Sequence, residues 1–371
     1  MDELGKLGGI IDGLFDRKRN HRRLNKRLVF IVGNGIDRVN NIINDQTLRR
    51  KAGTKYRSAR AFEAFKWRHF EYARYYSTTT LPSFAHCCIY WLMLGDLCRD
   101  LITTNYDMFF DAIFARAKNL NVAQNPVAES DEFLWEGYYS PKRLASDTKR
   151  YWKIHGSLSH ICFRGRAPGN QHHLHRLPRF AISANDDLLA QKYGIPTQAP
   201  FMGYEAACYP HTRFAALTDL SPGFSPFIDW TYNNDRSRFQ REIVAAKNVL
   251  RDSAKIAALV LIGFSGYFNE HNTSDPWNEE LVPEIRRLHS RGFDKIFMAV
   301  HAAQARRAAA PTYGLMRDLM RENRWWSYNA TNDFMTELLN GHSRRFPYNY
   351  AESEYTRWKR WFSPRGEATH A

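Results

Sequence analysis

The stretch from Leu28 to Arg38, LVFIVGNGIDR, constrains this chain most. Five apolar residues run without a break, and Val29, Phe30, Ile31 and Val32 are β-branched or aromatic, so the run predicts a buried strand. Gly33-Asn34-Gly35 ends it. Two glycines one residue apart permit a tight turn and a close approach of backbone N–H groups to a ligand. A helix starting there would favour a phosphate at its N-terminus. The third glycine of a dinucleotide fingerprint is missing, because its position is Arg38. An ordinary strand-end turn is the competing reading.

With 371 residues, 44% of them hydrophobic, the chain can bury one large domain or two ordinary ones. No window approaches 18 unbroken apolar residues, so no membrane span is expected, and without an apolar signal core a cytoplasmic location is the expectation. The five cysteines, Cys87, Cys88, Cys98, Cys162 and Cys208, contain no C-x-x-C pair, which argues against a disulfide framework or a structural zinc ribbon. Net charge is +15, which suits an anionic partner: nucleic acid, an acidic protein face or a phosphorylated ligand.

Residues 1–27 read as an accessory segment. Leu4, Leu7, Ile10, Ile11 and Leu14 recur at helical spacing, and a basic run follows from Arg17 to Arg27. That run is either a solvated connector or an arm for an oligomer mate or nucleic acid. Residues 39–100 carry helical patterns, one through Ala61, Phe62, Phe65 and Phe70 and another from Ala85 to Leu97. Leu101 to Asp107 (LITTNYD) predicts a short strand with a polar tip, followed by a helix from Phe109 to Ala117. Tyr151 to Ser157 (YWKIHGS) predicts a third strand, ending at His155-Gly156. Residues 158–235 are punctuated by prolines and read as a loop-rich insert. Its HHLH run (His172, His173, His175) reads as a polar loop rather than a metal site.

Farther on, a helix is expected over Arg238 to Ser253 and a buried strand over Ile256 to Ile262, ending in Gly263-Phe264-Ser265-Gly266. A helix starting near Asp275-Pro276 and running through His289 follows, then a strand over Lys295 to His301. Leu315 to Arg321 reads as helix, Trp325 to Tyr328 as strand and Asn332 to Leu339 as helix. Residues 346–371 form a tail of basic and aromatic residues, read as packed on the surface rather than as a nucleic-acid patch.

Four strand tips now share one character: GNGID, TTNYD, KIHGS and GFSG. In a parallel sheet they would gather along one edge, where open α/β sheets place ligands. In their order they resemble the GAG-I-S, T-Q-N-I-D, L-H-G and G-T-S motifs of sirtuins, over roughly residues 28–301. The resemblance implies an α/β fold, a Rossmann-like parallel sheet with a helical insert (39–100) and a loop-rich insert (158–235) within residues 28–345. It further implies NAD as substrate and no metal. Gly33, Asn34, Gly35 and Asp37 would line the diphosphate and ribose, and Thr104 would join the cofactor contacts. Asn105 would hold the nicotinamide ribose or a water, with Asp107 beside the nicotinamide. His155 would be the general base, and Gly263 and Ser265 would meet the cofactor's other half.

Protein-deacylating sirtuins carry two C-x-x-C pairs between the His motif and G-T-S, whereas this interval holds only Cys162 and Cys208. The resemblance extends, among divergent bacterial Sir2-like domains, to NAD-cleaving antiphage effectors, some of which work with a HerA-type ATPase. It implies NAD⁺ hydrolysis, a homo-oligomer and such a partner, with nucleic acid a further candidate. NAD-dependent deacylation and a binding module without turnover are the rivals. Taken singly, Asn105 could cap a helix, His155 could be a satisfied histidine, Asp37 a first-turn acid and Gly263 to Gly266 a simple turn.

Overall fold

The structure is a computed structural model. It describes residues 3–33, 36, 83–105, 110, 150–154, 156–163, 173–176, 224–228, 240–263, 280–302, 319, 321–322, 325–328 and 331–362. Its centre is a six-stranded parallel sheet. Strands β1 (Arg27–Val32), β2 (Cys98–Thr103) and β3 (Arg150–Lys153) form one half. A smaller antiparallel sheet joins β4 (Gly156–Phe163), β5 (His173–Arg176) and β6 (Phe224–Ile228). The large sheet resumes with β7 (Ile256–Ile262), β8 (Ile296–His301) and β9 (Trp325–Tyr328), in the order β3-β2-β1-β7-β8-β9. The chain thus starts mid-sheet, builds outward to β3, and returns beside β1 to build the other way. The fold is α/β and Rossmann-like.

Every residue of β7 and every residue of β1 after Arg27 is buried, which requires cover on both faces of these strands. The described helices fall into two packed groups. One contains α1 (Glu3–Arg19), α2 (Phe84–Leu94), α5 (Thr331–Thr336, continued by a π turn to His342) and α6 (Tyr348–Phe362). The other contains α3 (Gln240–Arg251) and α4 (Val282–Ser290). The helical spacing near the N-terminus holds: Leu4, Leu7, Ile11 and Leu14 are buried in α1. They belong to the same core as β1 and β7. Two of the C-terminal aromatics pack as well, Tyr348 and Tyr355 of α6 against Phe84 of α2.

Several boundaries differ from the sequence reading. The helix expected to reach Leu97 stops at Leu94, because Asp96 takes a left-handed φ of 61°. The N–H groups of Asp96 and Leu97 then close on the carbonyls of Met93 and Leu92, a Schellman ending with aspartate where glycine is usual. The strand expected from Leu101 starts at Cys98. Arg99 and Asp100 look like loop residues, but Asp100 is wholly buried and ion-paired, so the strand absorbs them. The third strand ends at Lys153, and a new strand starts at Gly156.

The polar loop expected at HHLH is a correction: His173–Arg176 is strand β5, paired antiparallel with His160–Phe163. Ladder hydrogen bonds outweigh the weak strand preference of that run once β4 lies alongside. The patterns at Ala61 to Phe70, the Asp275-Pro276 start and most of the Phe109–Ala117 and Leu315–Arg321 helices lie outside the described residues.

Candidate functional site

The parallel registers bring the strand ends to one level. Lys153 pairs with Thr103, Thr103 with Val32, and Val32 with Ile262. At about 4.8 Å between strands, this row is about 14 Å long. The residues that follow it are Ile154, Thr104 and Asn105, Gly33, and Gly263. Chain connections leave β1 and β7 in opposite directions, so the crevice between them is the switch point where open α/β sheets bind ligands. The expectation that the four tips share one edge holds for the first residue of each.

The backbone donors here are largely engaged. The Gly33 N–H donates to the Ile262 carbonyl at 2.8 Å, and the Gly33 carbonyl accepts from Ile36 N–H at 3.1 Å. Gly33 therefore brings backbone close without offering a phosphate its own donor. Thr104 N–H donates to the Val32 carbonyl at 3.0 Å. Thr103 Oγ1 donates to the same carbonyl at 3.0 Å and accepts from Asn105 N–H at 2.9 Å. Gly263 is buried with φ +75°, a conformation that favours glycine, and it turns the chain as β7 ends.

Asn105 is 6% exposed, and its side-chain oxygen has no hydrogen-bond partner among the described residues. A buried carbonyl without a donor costs on the order of 1–3 kcal/mol, and such exceptions call for a cause. The helix-cap alternative for Asn105 would engage that oxygen with a backbone N–H. Asn34, Gly35, Asp37, Asp107, His155 and Ser265 lie outside the described residues.

Sequence reasoning missed three residues of β2 and β3 that build this side of the sheet. Thr103 is 1% exposed and pins the Asn105 backbone to β1. Asp100 fastens the edge strand β3: its carboxylate accepts from Arg150 Nε at 2.6 Å and Nη2 at 3.1 Å, and from Arg99 Nε at 2.8 Å. Lys153, the last residue of β3, is fully buried, with its ammonium 5.7 Å from the centre of the Tyr151 ring. A lysine inside an otherwise apolar strand end was the available signal for it.

Aromatic packing backs this edge. Phe110 lies 4.6 Å from the His86 ring and 5.8 Å from Tyr151. His86, in the first turn of α2, accepts at Nδ1 from Ser83 N–H at 3.1 Å and lies 2.7 Å from Ser83 Oγ. Burial lowers the His86 pKa to about 3 and keeps the ring neutral. Burial pushes the Cys88 and Cys98 thiols upward, so neither is a reactive thiolate. No group of metal-ligating side chains occurs among the described residues, and no described helix is long and apolar enough to cross a membrane.

No family model matches the chain, and no curated protein does. Among solved structures it is similar to Sir2 homologues. One, a variant bound to ADP-ribose, is 12% identical, with a TM-score of 0.45 over 89% of this chain and 94% of that one. Another, from work on the mechanism and regulation of Sir2 enzymes, is 16% identical, with a TM-score of 0.43 over 92% and 96%. A Sir2 homologue bound to NAD is 13% identical, with a TM-score of 0.43 over 85% and 89%.

Proposed function

We propose that this chain is a Sir2-like NAD⁺ hydrolase that releases nicotinamide and ADP-ribose, acting in antiphage defence by depleting NAD. The observation that carries the reading is the buried, unpartnered amide oxygen of Asn105 beside the β1/β7 switch point. An acceptor held there suits a ribose hydroxyl or a water. His155 follows Lys153 by two positions, as Asn105 follows its register partner Thr103.

The chemistry needs few groups. As the bond from nicotinamide nitrogen to ribose carbon breaks, its electron pair neutralises the pyridinium, and nicotinamide leaves uncharged. The sugar carbon becomes oxocarbenium-like, as at a glycosidic centre. A water oriented by Asn105 adds to that carbon, and His155 takes its proton. In this reading Gly33, Asn34, Gly35 and Asp37 line the diphosphate and ribose, Thr104 and Asp107 flank the nicotinamide end, and Gly263 and Ser265 meet the adenosine half. The catalytic unit is residues 28–345, with 1–27 and 346–371 as flanks. Unrestrained NAD loss would be toxic, so a homo-oligomer or a HerA-type ATPase is the control we propose. The interval after His155 lacks paired C-x-x-C motifs, which disfavours protein deacylation.

The test incubates the full chain with NAD⁺, alone and with such an ATPase, and follows nicotinamide by chromatography. Asn105→Ala and His155→Ala are each expected to lower release about 100-fold or more. Asn105→Leu is expected to leave the unliganded melting temperature unchanged or higher while abolishing its rise with ADP-ribose. Absence of release in both settings, or release only with an acylated peptide, rejects the hydrolase reading.

A further inference from the structure

We infer that the turn between α1 and β1 is a docking surface for a nucleic-acid backbone. Positions 17–26 hold six arginines and lysines, and no acid. Arg17, Lys18, Arg19, Arg22, Arg23 and Lys26 are all exposed. The helix end is ordered: His21 takes a φ of 53°, its N–H closes on the Lys18 carbonyl at 2.9 Å, and Arg22 N–H closes on the Arg17 carbonyl at 2.9 Å. The cations therefore project from a fixed helix end and turn.

Helix capping explains only a small part of this charge. The C-terminal end of a helix carries roughly half a negative elementary charge, which one cation offsets. Nearby acids are already engaged, Asp96 by Lys18 at 2.9 Å and Asp16 by Arg345 at 3.1 Å. Arg27 pairs with Ile256, so Lys26 enters the sheet beside Lys255, which is itself ion-paired with Asp252 at 2.6 Å. Crowding like charges opposes folding unless a polyanion occupies the surface.

The chemistry of the patch selects the partner. Protein interfaces are built around apolar or aromatic anchors. Here Leu24 is buried, and the large hydrophobics exposed among the described residues, Val244 and Tyr350, lie elsewhere in the chain. A polar, cationic, arginine-rich face matches phosphate recognition, where the guanidinium fork binds two oxygens. The patch lies at the amino edge of the sheet. One length of β1, roughly 17 Å, separates it from the tips at the carboxyl edge, so both can be occupied together.

The experiment titrates the full chain into a fluorescently labelled DNA duplex of about 25 base pairs, at several salt concentrations, and reads anisotropy. Binding should weaken linearly in log salt, by about 0.9 for each phosphate neutralised. The triple variant Arg19→Gln, Arg22→Gln, Lys26→Gln should bind at least tenfold more weakly at about 0.1 M salt. Its salt slope should be shallower by roughly 2 to 3, while any nicotinamide release is unchanged. Equal affinity and slope in the variant would overturn the assignment. So would tighter binding of polyglutamate than of DNA, which would make the face a site for acidic protein.

Discussion

Thr103 Oγ1 lies 3.0 Å from the carbonyl oxygen of Val32, and the same hydroxyl accepts the N–H of Asn105 at 2.9 Å. One side chain thus ties the tip of β2 to the end of β1 and sets where Asn105 stands. Thr103→Val keeps the shape and strands the Asn105 N–H, while the Val32 carbonyl retains its bond from Thr104. We expect a stability loss of about 1–2 kcal/mol in urea denaturation and a larger fractional loss of nicotinamide release. Thr103→Ser should restore both. A serine variant no better than valine would remove the hydroxyl from the account.

The glycines of α1 predict opposite effects of one substitution. A Cβ at Gly8 would lie 2.2 Å from the His342 carbonyl oxygen, which is backbone and cannot swing aside. Gly8→Ala should cost about 1–3 kcal/mol by forcing α1 off the π turn. Gly9 and Gly13 face open space, so alanine there should stabilise the helix by up to about 1 kcal/mol. Thermal melts of the three variants check the sign at each position. A neutral Gly8→Ala would mean that α1 docks differently.

His86 predicts acid sensitivity. Its pKa is about 3 when folded, because burial disfavours the charged ring, and about 6.5 when unfolded. The folded state therefore binds fewer protons between these values. The neutral ring's contribution is fully present above pH 6.5 and declines as pH falls toward 3, by about 1.4 kcal/mol per pH unit. Protonation would also set a donor at Nδ1 against Ser83 N–H. His86→Gln keeps an acceptor in the capping position and cannot titrate. Its unfolding free energy should vary less steeply with pH over that range, by about one proton. Parallel pH curves for the two proteins would contradict this.

Legibility followed the range of the interactions involved. The strand Ile256–Ile262 matched its expected limits, and Ile296–His301 came within one residue, because long apolar runs between turn signals leave one low-energy choice. The start of strand β2 was misplaced, at Leu101 instead of Cys98, because Arg99 and Asp100 look solvent-seeking until Arg150 is alongside. The end of α2 was missed because Asp96 takes a conformation usually left to glycine. Of the expected site, Gly33, Thr104, Asn105 and Gly263 can be traced to the carboxyl edge.

The sequence by itself determined the buried strands, the amphipathic N-terminal helix and the polar tips, since each depends on the solubility and backbone preference of neighbouring residues. Tertiary structure decided which strands lie side by side and which polar atoms lose their water. Sequence spacing is silent on both, because partners such as Asp100 and Arg150, or Val32 and Ile262, meet only when distant segments stack. The unpartnered oxygen of Asn105 belongs to that second kind: asparagine is ordinary at a strand end, and burial makes its empty acceptor costly.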